Sequence, residues 1–198
     1  MSDADLCARL TLRDGRTATV RPLRADDAER LADYFTRFSE GSRRYYGPHA
    51  FDRVTAERLC ANLGPDDGIR FVATLGEGDA EQIIAYMILT PKIGDGDRQR
   101  YGDALDDGRC ACLAPSVADA FQSQGLGTQM GQHVLASARR LGLRQVILMG
   151  GVVAKNERAR RLYERLGFRR VREFTTHGQE TLLNYDMVID LDQQESDS

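Results

Sequence analysis

The stretch Gln122-Ser123-Gln124-Gly125-Leu126-Gly127-Thr128 constrains this chain more than any other. It follows an apolar run, Cys110–Val117, and opens the strongest helical pattern in the sequence. Leu126, Met130, Val134, Ala138 and Leu141 lie on one face of that pattern, and Gly142 stops it. Glycines at a strand-to-helix turn leave the first helical amides without intrahelical partners, and the helix dipole adds partial positive charge there. Such a turn can bind phosphate through backbone alone. Two common phosphate loops do not fit. The dinucleotide fingerprint needs a third glycine where Met130 stands, and no Gly-Lys-Ser/Thr run exists for a P-loop. On its own the turn reads first as a turn and helix cap, since many helices start near glycine.

The surrounding pattern predicts an α+β order rather than strict alternation. Residues 10–12 and 17–21 read as a hairpin about Asp14-Gly15, and Asp26-Asp27 as caps of a helix bearing Ala28, Leu31, Tyr34 and Phe35. A second helix is expected over 55–63, and strands over 69–75 and 82–89. Residues 93–108 read as a long polar loop. Its Asp95-x-Asp97 start suggests a calcium loop, but Arg100 stands where glycine is needed and Asp106 replaces the closing glutamate, so that reading is rejected. After the helix from Leu126 come one buried strand over 144–152, a helix over 157–166 capped by Asn156, and a hairpin of 168–175 with 181–189.

With 198 residues, 41% hydrophobic and 29% charged, residues 1–190 suit a single domain and 191–198 an acidic flexible tail. A net charge of -3 argues against a nucleic-acid partner. No signal peptide or membrane-spanning run is expected, so a cytoplasmic location follows. The four cysteines read as reduced, buried thiols, Cys110-x-Cys112 lacks zinc or redox spacing, and no metal is expected. A homodimer is allowed for.

Twenty-nine residues after Gly127 begins Asn156-Glu157-Arg158-Ala159-Arg160-Arg161-Leu162-Tyr163-Glu164-Arg165-Leu166-Gly167-Phe168. Gln-x-x-Gly-x-Gly, a helix, a strand, then Asn-x-x-Ala-x-x-Leu-Tyr-x-x-Leu-Gly-Phe together resemble the GNAT superfamily of acetyl-CoA-dependent N-acyltransferases. The resemblance implies one domain with a mixed, mostly antiparallel sheet flanked by helices, and a strand pair that splays to admit the pantetheine arm of acetyl-CoA. It implies that the amides of Gln124, Gly125, Leu126, Gly127 and Thr128, with Gln122, hold the pyrophosphate. Val117 would offer its backbone to the pantetheine or the thioester oxygen, and Asn156 would contact the cofactor. Tyr163 would protonate the departing thiolate. Many members carry a glutamate base on the strand before the turn, and Cys112 stands at that position here, which leaves the base open among Asp119, Glu157, the 93–108 loop or a water relay.

The opening residues, Val20-Arg21-Pro22-Leu23 with Asp26-Asp27 and then Phe38-Ser39-Glu40-Gly41-Ser42-Arg43-Arg44-Tyr45-Tyr46, look more loosely like protein-lysine acetyltransferases that silence acyl-CoA synthetases. The expected activity is acetyl transfer from acetyl-CoA to a primary amine, a protein lysine or a small molecule, by direct attack. The alternative is an acetyl-CoA-binding regulator that has lost its base.

Overall fold

The computed structural model describes residues 3–106, 108–178 and 180–192. Among them nine strands form one sheet. β1 (Ala8–Thr11), β2 (Thr17–Pro22), β3 (Ile69–Leu75), β4 (Gln82–Thr90) and β5 (Cys110–Val117) follow one another antiparallel. β6 (Gln145–Leu148) then joins β5 in parallel, the only parallel pair among the described residues. Beyond it β9 (Thr181–Asp190) pairs antiparallel with β6, with the short β7 (Val152–Val153) and with β8 (Arg169–His177). This is the α+β order that the sequence pattern predicts, with the mixed, mostly antiparallel sheet that the family resemblance implies.

Six helices cover the sheet: α1 (Ala28–Thr36), α2 (Glu40–Arg43), α3 (Arg53–Ala61), α4 (Asp95–Tyr101), α5 (Leu126–Arg140) and α6 (Glu157–Arg165). Side chains alternate between faces along a strand, so β5 sorts them. Ser116 bonds Tyr34 of α1 at 2.9 Å, whereas Val117, its neighbour, packs toward Gly127 of α5. α1 and α5 therefore lie on opposite faces. α6 presses on α5, because a Cβ at Gly131 would stand 2.6 Å from Leu166. α4 shares the α1 face, where Tyr101 packs with Cys110 and Cys112.

Four expectations need correction. The strand expected over 144–152 stops at Leu148, because Gly150 (φ 70°) and Gly151 (φ 71°) take left-handed backbone that a strand cannot continue through. The loop over 93–108 contains α4, a helix whose polar face hid it from an apolar-period reading. Asp27 makes no side-chain cap to α1. Its carboxylate instead takes the buried Arg21 guanidinium at 2.6 and 2.8 Å, tying β2 to the helix. Cys7 is exposed, while Cys60, Cys110 and Cys112 are buried as expected. At the C-terminus Leu191 is buried and Asp192 pairs with Arg144, and 193–198 lie outside the described residues.

Candidate active site

β5 has a closed half and an open half. Residues 110–113 pair with β6, and the pairing ends where Met149 N donates to Leu113 O at 3.0 Å. The chain then turns through Gly150 and Gly151 to β7, which belongs to β9, so residues 114–117 pair with β4 alone. Backbone groups alternate in direction, and Ala118 N bonds back to Ile84 O at 3.0 Å. The polar groups of Pro115 and Val117 therefore face the gap. A proline in a fully paired strand would break the ladder, but here its missing N–H faces no partner strand. Val117 O accepts from Gln122 Nε2 at 2.9 Å, and Val117 N–H is left facing the gap.

The glycine turn lies at the end of this opening. Ser123 (φ 61°) and Gly125 (φ 83°) curl the backbone, and Gly125 is the N-cap of α5 without any side-chain cap. The first bond into the helix is Gln129 N to Gly125 O at 3.1 Å. None of the amides of Gln124, Gly125, Leu126, Gly127 and Thr128 donates to another described residue. Five adjacent N–H groups beside a helix dipole are suited to an anion such as a pyrophosphate. A Cβ at Gly127 would sit in ordinary contact with Leu162 at 3.5 Å and Val117 at 3.6 Å, which leaves little room for anything larger. Leu126 itself is buried and presents only its backbone. The Gln122 and Gln124 amides brace the turn, Gln122 through Val117 O and Asp119 (2.8 Å), Gln124 through Ala120 O (3.0 Å).

Asn156 accepts from Ala159 N at 3.2 Å and so caps α6. Tyr163, seven residues on, is buried in the core and meets Phe168 edge to face at 5.7 Å. Its hydroxyl makes no hydrogen bond to another described residue, and burial raises its pKa, so it stays protonated and able to donate.

No carboxylate stands where the strand glutamate was expected. Cys112 is fully buried with Tyr101, Cys110, Ile147 and Val188, and burial pushes its thiol up to about 12. A thiol held neutral and walled off by α4 accepts no proton near neutral pH. Asp119 is engaged otherwise. It takes Ser39 N (2.9 Å), Ser42 Oγ (2.6 Å) and Gln122, tying α2 to the turn. Burial pushes its pKa up, yet the Ser39 and Ser42 bonds outweigh that and hold it below the usual range. Glu157 is exposed and paired with Arg161 at 2.9 Å. In the 93–108 segment Asp97 accepts from Gly150 N and pairs with Arg100, which reaches Asp186 at 3.0 Å and pins α4 to β9. The residue that spoils a calcium loop, Arg100, is thus the one that anchors the helix.

The structure adds a group that the sequence reading missed. Between α2 and α3, Tyr46 and His49 fold back over Phe51, Phe35 and Tyr86. His49 Nε2 stands 3.3 Å from Tyr46 Oη, and Nδ1 2.9 Å from Ala50 O. Burial holds the Tyr46 hydroxyl well above its ordinary pKa, and charge on Tyr86, Tyr34 or Tyr163 would raise it further. The only local signal was Tyr45-Tyr46-Gly47-Pro48-His49, which reads as a plain turn.

The family described as the acetyltransferase (GNAT) family matches residues 29–168. The chain is 30% identical over 161 residues to acetyltransferase PA5475 of Pseudomonas aeruginosa, covering 80% of this chain and 78% of that protein. The GNAT domain of S. lividans PAT superposes with a TM-score of 0.73 at 26% identity, over 96% of this chain and 99% of that one. The structure of yncA from Salmonella typhimurium with its cofactor acetyl-CoA shares the fold at 16% identity, TM-score 0.65, over 91% of this chain and 98% of that one. No helix among the described residues is long and apolar enough to cross a membrane.

Proposed function

Because this chain belongs to the GNAT family and is an acetyl-CoA-dependent acetyltransferase, we propose that it transfers the acetyl group to a primary amine, on a protein lysine or a small molecule, by direct attack. The observation that carries this reading is the opening beside residues 114–117, which ends at five unpartnered amides. That opening accepts an extended chain as an added strand, and the amides accept a pyrophosphate. In this reading the backbone of Gln124, Gly125, Leu126, Gly127 and Thr128 holds the phosphates, and Gln122 keeps the turn in shape. Asn156 contributes its amide nitrogen, its oxygen being occupied by the cap. Val117 N–H lies on the open edge, placed to take the thioester oxygen as charge develops on it. Tyr163 donates a proton to the leaving thiolate, because burial keeps its phenol neutral and it makes no hydrogen bond to another described residue. We assign the reaction to the cytoplasm.

A second reading is a protein that binds acetyl-CoA without turning it over, and one observation favours it: Cys112 is buried behind α4 and Asp119 is held by Ser39 and Ser42. Calorimetry with acetyl-CoA, followed by thiol release in the presence of amines, separates the two. Micromolar binding with amine-dependent release supports transfer. Binding without release with any amine supports the second reading, and absence of binding removes both.

A further inference from the structure

The amine must lose a proton to attack, since a free alkylamine is almost wholly protonated near neutral pH. The carboxylates near the turn are engaged, and Cys112 is unsuited. We propose that Tyr46 and His49 form the proton acceptor of this site, with Tyr46 meeting the amine and His49 standing behind it. The inference rests on the acetyl-transfer reading above.

The geometry sets the direction of the relay. Nδ1 of His49 sits 2.9 Å from the Ala50 carbonyl, which only an N–H satisfies, so that nitrogen carries the proton and Nε2 keeps its lone pair. Tyr46 Oη, 3.3 Å away, then donates to Nε2 and keeps its own lone pairs to accept a proton. The groups facing His49 are Tyr46 on its own loop, Asp52 and Arg58 of the α3 segment, Arg70 of β3 and Tyr86 of β4; α1 contributes only the Phe35 ring. Burial, with Arg58 and Arg70, outweighs the Ala50 bond and Asp52 and holds the imidazole pKa below 6.5. His49 is therefore neutral at pH 7 and free to accept. A second observation ties the pair to the opening: the Tyr86 ring stands 5.7 Å from that of His49, and Tyr86 is paired in the sheet with Ser116, in the open half of β5.

In the step, the bound ammonium gives one proton to Tyr46 Oη while Tyr46 gives its own to His49 Nε2. The high pKa of Tyr46 excludes a free tyrosinate, so the two transfers are concerted. The freed lone pair forms the N–C bond with the thioester carbon, and the C–S bond breaks. The thiolate takes the Tyr163 proton, the second proton of the amine restores Tyr163, and the net proton leaves from His49.

The test is the pH dependence of kcat/KM for thiol release, with an Nα-blocked lysine amide, spermidine and paromomycin as the amine probes. The wild type should lose rate as pH falls through the His49 pKa, below 6.5, and be level above it. His49→Gln should bind acetyl-CoA as the wild type does, yet turn over about 100-fold more slowly at pH 7. Its rate should climb about tenfold per pH unit toward the amine pKa, because it now depends on amine already deprotonated in solution. Tyr46→Phe should show the same climb, and the double variant should be no slower than the slower single variant. Should His49→Gln unfold, Tyr46→Phe, which removes one oxygen, carries the test. A wild-type rate in either variant, or a deficit equal at every pH, overturns the relay and leaves acetyl transfer standing. No release by the wild type with any probe overturns transfer itself, and the relay with it.

Discussion

α5 and α6 pack against each other on one face of the sheet and begin in opposite ways. α6 starts at Asn156, whose side chain accepts from Ala159 N and closes the first turn. α5 starts at Gly125 with no side-chain cap, and five consecutive amides are without partners among the described residues. α6 has a side chain bound to its own first turn, while α5 presents backbone donors at the mouth of the gap. The difference teaches that an uncapped helix start carries functional information when it stands where a strand has lost a neighbour.

The comparison breaks most readily at Gly127. Gly127→Leu should weaken acetyl-CoA binding about 100-fold, roughly 2.7 kcal/mol, since any side chain larger than a methyl group meets Val117 and Leu162 or fills the phosphate site. Calorimetry measures this, and a thermal scan shows whether the fold survives. Unchanged affinity in a folded variant would mean that the α5 start is only a cap. Tyr163→Phe tests the far end of α6. Turnover should fall about tenfold with affinity unchanged, because the ring still packs on Phe168 while the donor is lost.

Asn156 gives the finest distinction. Asn156→Ala loses the cap and should cost about 1 kcal/mol, or 2–4 °C in Tm. Asn156→Asp keeps an oxygen for Ala159 N but has no amide donor. Its Tm should match the wild type while acetyl-CoA affinity falls about fivefold. An affinity equal to wild type in Asn156→Asp would leave Asn156 as a cap alone. The Arg21–Asp27 pair bears on the fold and touches neither helix start. Burial raises the Asp27 pKa, but the Arg21 bonds outweigh that and hold it below 3.8. A carboxyl depressed in the folded state stabilises above its unfolded pKa and loses that contribution as pH falls. Tm should therefore fall on acidification below about pH 4, and Asp27→Asn should flatten that slope.

The elements written in local pattern were readable from the residues. The strand Cys110–Val117 and the helices at Leu126 and Glu157 lie where periodicity and capping place them. α4 was not readable, since its hold on the sheet comes from Arg100 reaching Asp186, 86 positions away. The site divides the same way. The glycine turn, Asn156 and Tyr163 lie in short motifs, whereas Tyr46 and His49 gain meaning only beside Tyr86, which arrives from β4.

The sequence by itself determined where the backbone turns left-handed, where helices start and stop, and which strands are apolar. Those outcomes follow from sterics and hydrogen bonds within a few residues. The tertiary structure decided that β5 parts from β6 after Leu113, that Pro115 falls on the open side, that Cys112 faces α4, and that the His49 imidazole packs on Tyr86 of β4. Each depends on which distant segment packs alongside, and no local preference along the chain encodes that choice.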